Sequence, residues 1–134
     1  MKKFITLAAV MCASVALAAF DLTSATPTLL VAPTAIVANA TNTVDFTSAG
    51  RKGTGEIYIA ATSSATNGTI AVTLMTTNAV SGGWTVFAAG TYPTAPTNAV
   101  YALPVAVEYL APVNRLTVAP TGANTTASAM LLSY

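Results

Sequence analysis

Two runs decide the fold: Glu56-Ile57-Tyr58-Ile59-Ala60-Ala61-Thr62 and, beyond a polar break that ends in Asn67-Gly68, Thr69-Ile70-Ala71-Val72-Thr73-Leu74-Met75-Thr76. Side chains of an extended strand alternate with period two, so Ile57, Ile59 and Ala61 share one face of the first run. Ile70, Val72 and Leu74 do the same in the second. Asn67-Gly68 is the dipeptide favoured in tight hairpins, which predicts that the two strands pair antiparallel.

The same pattern recurs outward from this pair. Leu116 and Val118 alternate within Val113–Ala119, and Ala127, Ala129 and Leu131 alternate with Ser128, Met130 and Leu132. Weaker strand signals lie at Thr28–Ala32, Thr43–Thr47, Trp84–Ala88 and Val105–Tyr109. Turn residues punctuate the chain at Pro27, Pro33, Gly53, Gly55, Gly82-Gly83, Pro93, Pro96, Pro112, Pro120 and Gly122. About eight short strands between regular turns predict an all-β antiparallel sandwich, jelly-roll or immunoglobulin-like. Ile57, Ile59, Ile70, Val72, Leu74, Leu116, Val118 and Leu131 are expected to point inward. Tyr92–Ala99, with its two prolines, is expected to be the longest loop.

The chain has 134 residues, enough for one hydrophobic core. Met1-Lys2-Lys3, the uncharged apolar run Phe4–Leu17 and Ala16-Leu17-Ala18 together form the pattern of a bacterial secretory leader. The run is short for a membrane span. The rival reading is an apolar N-terminal arm that packs on a neighbouring subunit. The expected organisation is therefore a leader or arm over 1–20, an extended lead-in over 21–40, and a sandwich domain over 41–134. Cys12 is the single cysteine, so no intrachain disulfide forms.

Charged residues make up 7% of the chain, against roughly 25% in an ordinary soluble domain, and histidine is absent. Acid–base, nucleophilic and metal chemistry need ionisable groups held close together. The composition therefore argues against an enzyme and against nucleic acid as a partner. No catalytic, metal or cofactor residue is expected. Glu56 and Glu108, as a carboxylate pair, would suit glycoside hydrolysis, but two solvated strand residues fit better. Asp21 and Asp45 stand alone, without calcium-loop spacing. Arg51-Lys52, between glycines, reads as a solvated loop tip. Trp84, Tyr92, Tyr101 and Tyr109 would suit a sugar-stacking platform, although core packing or subunit contact fits large aromatics better. The sequons at Asn39, Asn67 and Asn124 are what chance gives in a threonine-rich chain.

The order of segments from Leu30 to Tyr134 resembles a class of small bacteriophage virion proteins. The likeness runs through Thr43-Val44-Asp45-Phe46, Gly55-Glu56-Ile57-Tyr58-Ile59, Ile70-Ala71-Val72-Thr73-Leu74-Met75, Ser81-Gly82-Gly83-Trp84-Thr85-Val86-Phe87 and Asn114-Arg115-Leu116-Thr117-Val118. The resemblance implies a capsid decoration or cement protein whose β-sandwich subunits grip a major capsid or other shell protein. The accompanying expectation is a homo-oligomer, a trimer or another closed ring, at the virion surface. A secreted bacterial sandwich for adhesion, a surface layer or carbohydrate binding is the alternative. In the first case residues up to about Ala40 would be the arm that reaches a neighbour.

Overall fold

The computed structural model describes residues 26–47, 53–78 and 80–133. They form eight strands: β1 (Thr26–Ile36), β2 (Asn42–Thr47), β3 (Gly55–Ser63), β4 (Gly68–Thr77), β5 (Trp84–Thr94), β6 (Ala99–Val105), β7 (Val113–Thr121) and β8 (Thr125–Ser133). A single 3-10 turn, Val107–Tyr109, follows β6. The strands make two four-stranded antiparallel sheets, A in the order β1-β8-β3-β6 and B in the order β2-β7-β4-β5. Of the connections, β4–β5 alone stays within a sheet, and the others cross the sandwich. Two interleaved Greek keys of this kind are a jelly roll. An immunoglobulin-like sandwich would place β1 beside β2 in one sheet.

All eight side chains expected to face inward do so, each 0–1% exposed. They join Leu30, Val31, Ile36, Leu103, Val105 and Val107 in one inter-sheet core. Burying each large aliphatic side chain is worth roughly 1.5–3 kcal/mol, which fixes the strand register.

Four local expectations need correction. The Asn67-Gly68 segment is not a hairpin: it carries the chain from sheet A to sheet B, where β4 pairs with β7 and β5. Strand β3 ends at Ser63, and the four residues between it and Gly68 leave enough chain to cross. The amides of Ser63 and Ser64 donate to Ala95 O and Asn124 O, at 2.9 and 2.8 Å, and turn the chain away from β3. The hairpin lies instead at Asn78–Gly83, closed by Asn78 N–H to Gly83 O and Gly82 N–H to Asn78 O, both 2.8 Å. Gly82 supplies its left-handed φ of 68°.

Strand β6 occupies Ala99–Val105, not Val105–Tyr109, and the expected Tyr92–Ala99 loop shrinks to residues 95–98. Both errors come from proline. Pro93 and Pro104 sit in β5 and β6, the outermost strands of their sheets, where a missing N–H costs no ladder bond on the open side.

The lead-in assigned to 21–40 contains β1, an edge strand paired along β8 from Thr26↔Ser133 to Ile36↔Thr125. A bulge after Leu29 turns both Leu30 and Val31 into the core. The sandwich thus includes Thr26–Ile36, and a free arm extending to Ala40 is ruled out.

Candidate functional site

The outer face of sheet B follows from register alone. The alternation that sends Leu116, Val118, Ile70, Val72 and Leu74 inward sends their neighbours outward. Across β2, β7, β4 and β5 these form rows: Asp45–Arg115–Met75–Val86, then Thr43–Thr117–Thr73–Ala89, then Ala119–Ala71–Thr91, then Thr121–Thr69–Pro93. Small, uncharged side chains therefore cover most of this outer face.

One end of this face holds its only strong polar feature among the described residues. Arg115 Nε and Nη2 donate to Asp45 Oδ1 and Oδ2 at 2.7 and 2.8 Å, a bidentate fork. The Arg115 guanidinium lies 4.3 Å from the centroid of the Trp84 ring. The fork holds the Asp45 carboxyl below the usual carboxylate range and raises Arg115. Asp45 therefore does not stand alone. Asp45 sits between Val44 and Phe46, and Arg115 between the buried Asn114 and Leu116, so alternation turns both outward. Their meeting depends on β2 lying beside β7, which no local signal carries. Val86 and Val113 extend the apolar rim at 59% and 42% exposure, with Trp84 at 38%.

The other aromatics do not join Trp84. Tyr92 and Tyr101 stack with centroids 4.7 Å apart and planes 13° from parallel. Tyr92 lies on β5 of sheet B and Tyr101 on β6 of sheet A, so the stack closes one open side of the sandwich. Tyr101 Oη donates to Pro93 O and Tyr92 Oη to Ala102 O, cross-linking the same two strands. Burial pushes the Tyr92 phenol up. Tyr109, 72% exposed, stands apart in the 3-10 turn. The four-aromatic platform is thus dispersed, and the Trp84 ring is already paired with a guanidinium.

Glu56 lies on the outer face of sheet A and accepts a hydrogen bond from Tyr58 Oη. Gly55 pairs with Val105, so the backbone of Glu108 follows at the same end of the sheet. The Glu108 side chain, Arg51-Lys52 and Asp21 lie outside the described residues. Among the described residues no cluster of three or more His, Cys, Asp or Glu could hold a metal ion. No described helix is long and apolar enough to cross a membrane. At the opposite end of the sandwich the sequon residues Asn39, Asn67 and Asn124 occupy neighbouring loops. The Asn124 side chain caps Ala38 N–H at 2.9 Å. A groove of about 370 Å³ there, lined by residues including Ile36, Ser63 and Thr125, holds no ionisable side chain among the described residues.

The chain matches no known protein-family profile and no curated protein by sequence. By structure it is similar to a family 29 carbohydrate-binding module from Piromyces equi, with a TM-score of 0.52 and 11% identity over 83% of this chain and 92% of that one. A family 28 carbohydrate-binding module specific for non-crystalline cellulose also gives 0.52, at 11% identity over 77% of this chain and 71% of that one. A chain of infectious bursal disease virus, Gx strain, gives 0.52 at 12% identity over 81% of this chain, which spans 31% of the virus chain. At these identities the likeness is one of fold: a β-sandwich shared by binding modules and by a virus particle.

Proposed function

We propose that this protein is a non-enzymatic structural subunit that docks on a larger shell through the outer face of sheet B, as a bacteriophage capsid decoration (cement) protein. It acts as a trimer or other closed ring at the virion surface, with the major capsid protein as its partner. The observation that carries the reading is the composition of that face. Rows of threonine and alanine surround one charge-neutralised Asp45–Arg115 pair, with Trp84, Val86 and Val113 exposed at the rim. Trp and Arg are the residue types that anchor protein interfaces, and small flat neighbours let a partner approach closely. A surface with so little charge also resists association poorly, which suits a subunit that spends its life in an assembly. Closed symmetry lets copies with so little charge associate with one another without runaway growth.

A second reading rests on the same Trp84: a secreted sandwich whose open face binds a polysaccharide. The dispersal of the tyrosines and the guanidinium over the Trp84 ring weigh against it.

One experiment separates the two. Particles from the source culture are banded on a density gradient and their proteins quantified by mass spectrometry. In parallel, the wild-type chain and Trp84→Ala are run through polysaccharide-containing gels. The proposal expects the chain in fixed ratio to the shell protein and no retardation by polysaccharide. Absence from particles, together with retardation that Trp84→Ala abolishes, would establish the second reading.

A further inference from the structure

The outer face of sheet A is built differently from that of sheet B. Register places Tyr58, Met130 and Leu29 in one row across β3, β8 and β1, and Glu56, Leu132 and Pro27 in the next. Ala60 and Ser128 follow. None of these belongs to the inter-sheet core. Yet Leu132 is 0% exposed, Met130 2%, Ser128 4%, Ala60 5% and Tyr58 6%. In-sheet neighbours shield the flanks of a strand side chain but leave its tip open. Among the described residues all eight strands lie in the two sheets, and none crosses this face.

The chain outside the described residues supplies a fitting cover. Strand β1 begins at Thr26, directly beside Ser133, with Pro27 beside Leu132. The 25 residues before it therefore leave the sheet at the border of the apolar layer. Phe4–Leu17 is uncharged and apolar. Four strands at about 4.8 Å spacing make a face less than about 20 Å wide. Fourteen residues span about 21 Å even when helical, so the run is long enough to cross it. Residues 21–25 give about 16 Å of extended tether for the turn from the edge onto the face. The other segment near this sheet, residues 48–52, reads Ser-Ala-Gly-Arg-Lys and has no apolar side chain beyond alanine.

We propose that the outer face of sheet A is the docking surface for residues 4–20 of the same chain. The N-terminal run is then a retained third layer of the subunit. This goes beyond the shell-binding role and does not depend on it, because the docked segment occupies sheet A and the partner sheet B.

Cys12, the single natural cysteine, gives the test. Ala60→Cys, Ser128→Cys and Ala102→Cys place a second thiol at three points on the face of sheet A. Thr73→Cys and Thr117→Cys place it on sheet B as controls. Each full-length variant is purified reduced, oxidised mildly, and read by intact mass and non-reducing electrophoresis. The expected result is an intramolecular disulfide in at least one sheet A variant and in neither control. A covalent dimer in its place would assign the segment to a second copy and overturn the proposal, as would equal cross-linking of the controls. A mature chain that begins at Ala19 would also overturn it. Should the cysteine variants misfold, Val10→Asp/Val15→Asp in the full-length chain keeps the question open to test. It is expected to raise binding of a hydrophobic dye several-fold with the sandwich still folded, and unchanged dye binding would refute the docking.

Discussion

Leu131 and Leu132 are adjacent on β8, identical in chemistry and both 0% exposed, yet they face opposite sides of sheet A. Leu131 packs between the sheets, whereas Leu132 belongs to the layer proposed to receive the N-terminal segment. Truncating a fully buried leucine to alanine costs about 2–5 kcal/mol, the lost transfer energy plus a cavity term. In a domain of this size each kcal/mol lowers the thermal midpoint by about 3–5 °C. Leu131→Ala and Leu132→Ala in the full-length chain should therefore each lower the midpoint by roughly 10–20 °C.

The two part company once the segment is displaced. In a Val10→Asp/Val15→Asp background Leu132 becomes a solvent-facing strand residue, and its truncation should cost no more than about 0.5 kcal/mol. Leu131→Ala should cost the same in both backgrounds. Unfolding followed by circular dichroism, with the four single and combined variants arranged as a cycle, isolates a coupling of about 1.5 kcal/mol or more for Leu132 and near zero for Leu131. Equal penalties for Leu132→Ala in both backgrounds would refute the reasoning, as would a negligible penalty in the full-length chain.

Three further outcomes follow from local geometry. A Cβ at Gly55 would lie 2.6 Å from Leu132 O and 2.7 Å from Val107 Cγ2, so Gly55→Ala should destabilise by about 1–3 kcal/mol, whereas Gly83→Ala, whose Cβ meets nothing closer than Ser81 Oγ at 3.5 Å, should be near neutral in denaturant titrations. The Asp45 carboxyl titrates below its ordinary value in the folded state, so its pairing contributes above that value and is lost as pH falls through the lowered one. Asp45→Asn should accordingly flatten the acid limb of a midpoint-versus-pH curve slightly, and more at low salt than at high salt. Burial raises the Tyr92 phenol, so the unfolded chain ionises first as pH climbs and stability falls above the ordinary tyrosine value. Tyr92→Phe should make alkaline unfolding less steep, measured by the same midpoints.

Much of the sandwich was legible because alternation is a local property. Ile57, Ile59, Ile70, Val72, Leu74, Leu116, Val118 and Leu131 declare their direction within a few residues. Topology is not local. Asn67-Gly68 carries the chemistry of a hairpin, and only the four-residue gap from Ser63 and the hydrogen bonds to Ala95 and Asn124 turn it into a crossing. The prolines misled for a related reason. Pro93 and Pro104 break a central strand but not an edge strand, and edge status is known only once the strand order is known. The candidate interaction face was not legible: Asp45 read as standing alone, and its pairing with Arg115 beside Trp84 belongs to the order β2-β7-β4-β5.

The contrast between the two sheets was present in the sequence all along, as a difference in period. Sheet B is written in alternation: Ile70, Val72 and Leu74 against Thr69, Ala71 and Thr73, and Leu116 and Val118 against Arg115 and Thr117. Such strands bury one face and leave the other to water or to a partner. The central strands of sheet A are written as near-continuous apolar runs, Ile57-Tyr58-Ile59-Ala60-Ala61 and Ala129-Met130-Leu131-Leu132. Runs of that kind belong to strands buried on both faces. A two-layer sandwich buries only one, so the outer face of sheet A carries the pattern of a covered surface, as the proposed docking of Phe4–Leu17 requires. Sheet B, with no such run to cover, keeps an open face whose one charge pair is neutralised internally. Under the two proposals the near-absence of charge has a structural cause: sheet A is covered from both sides by its own chain, and sheet B is covered in an assembly.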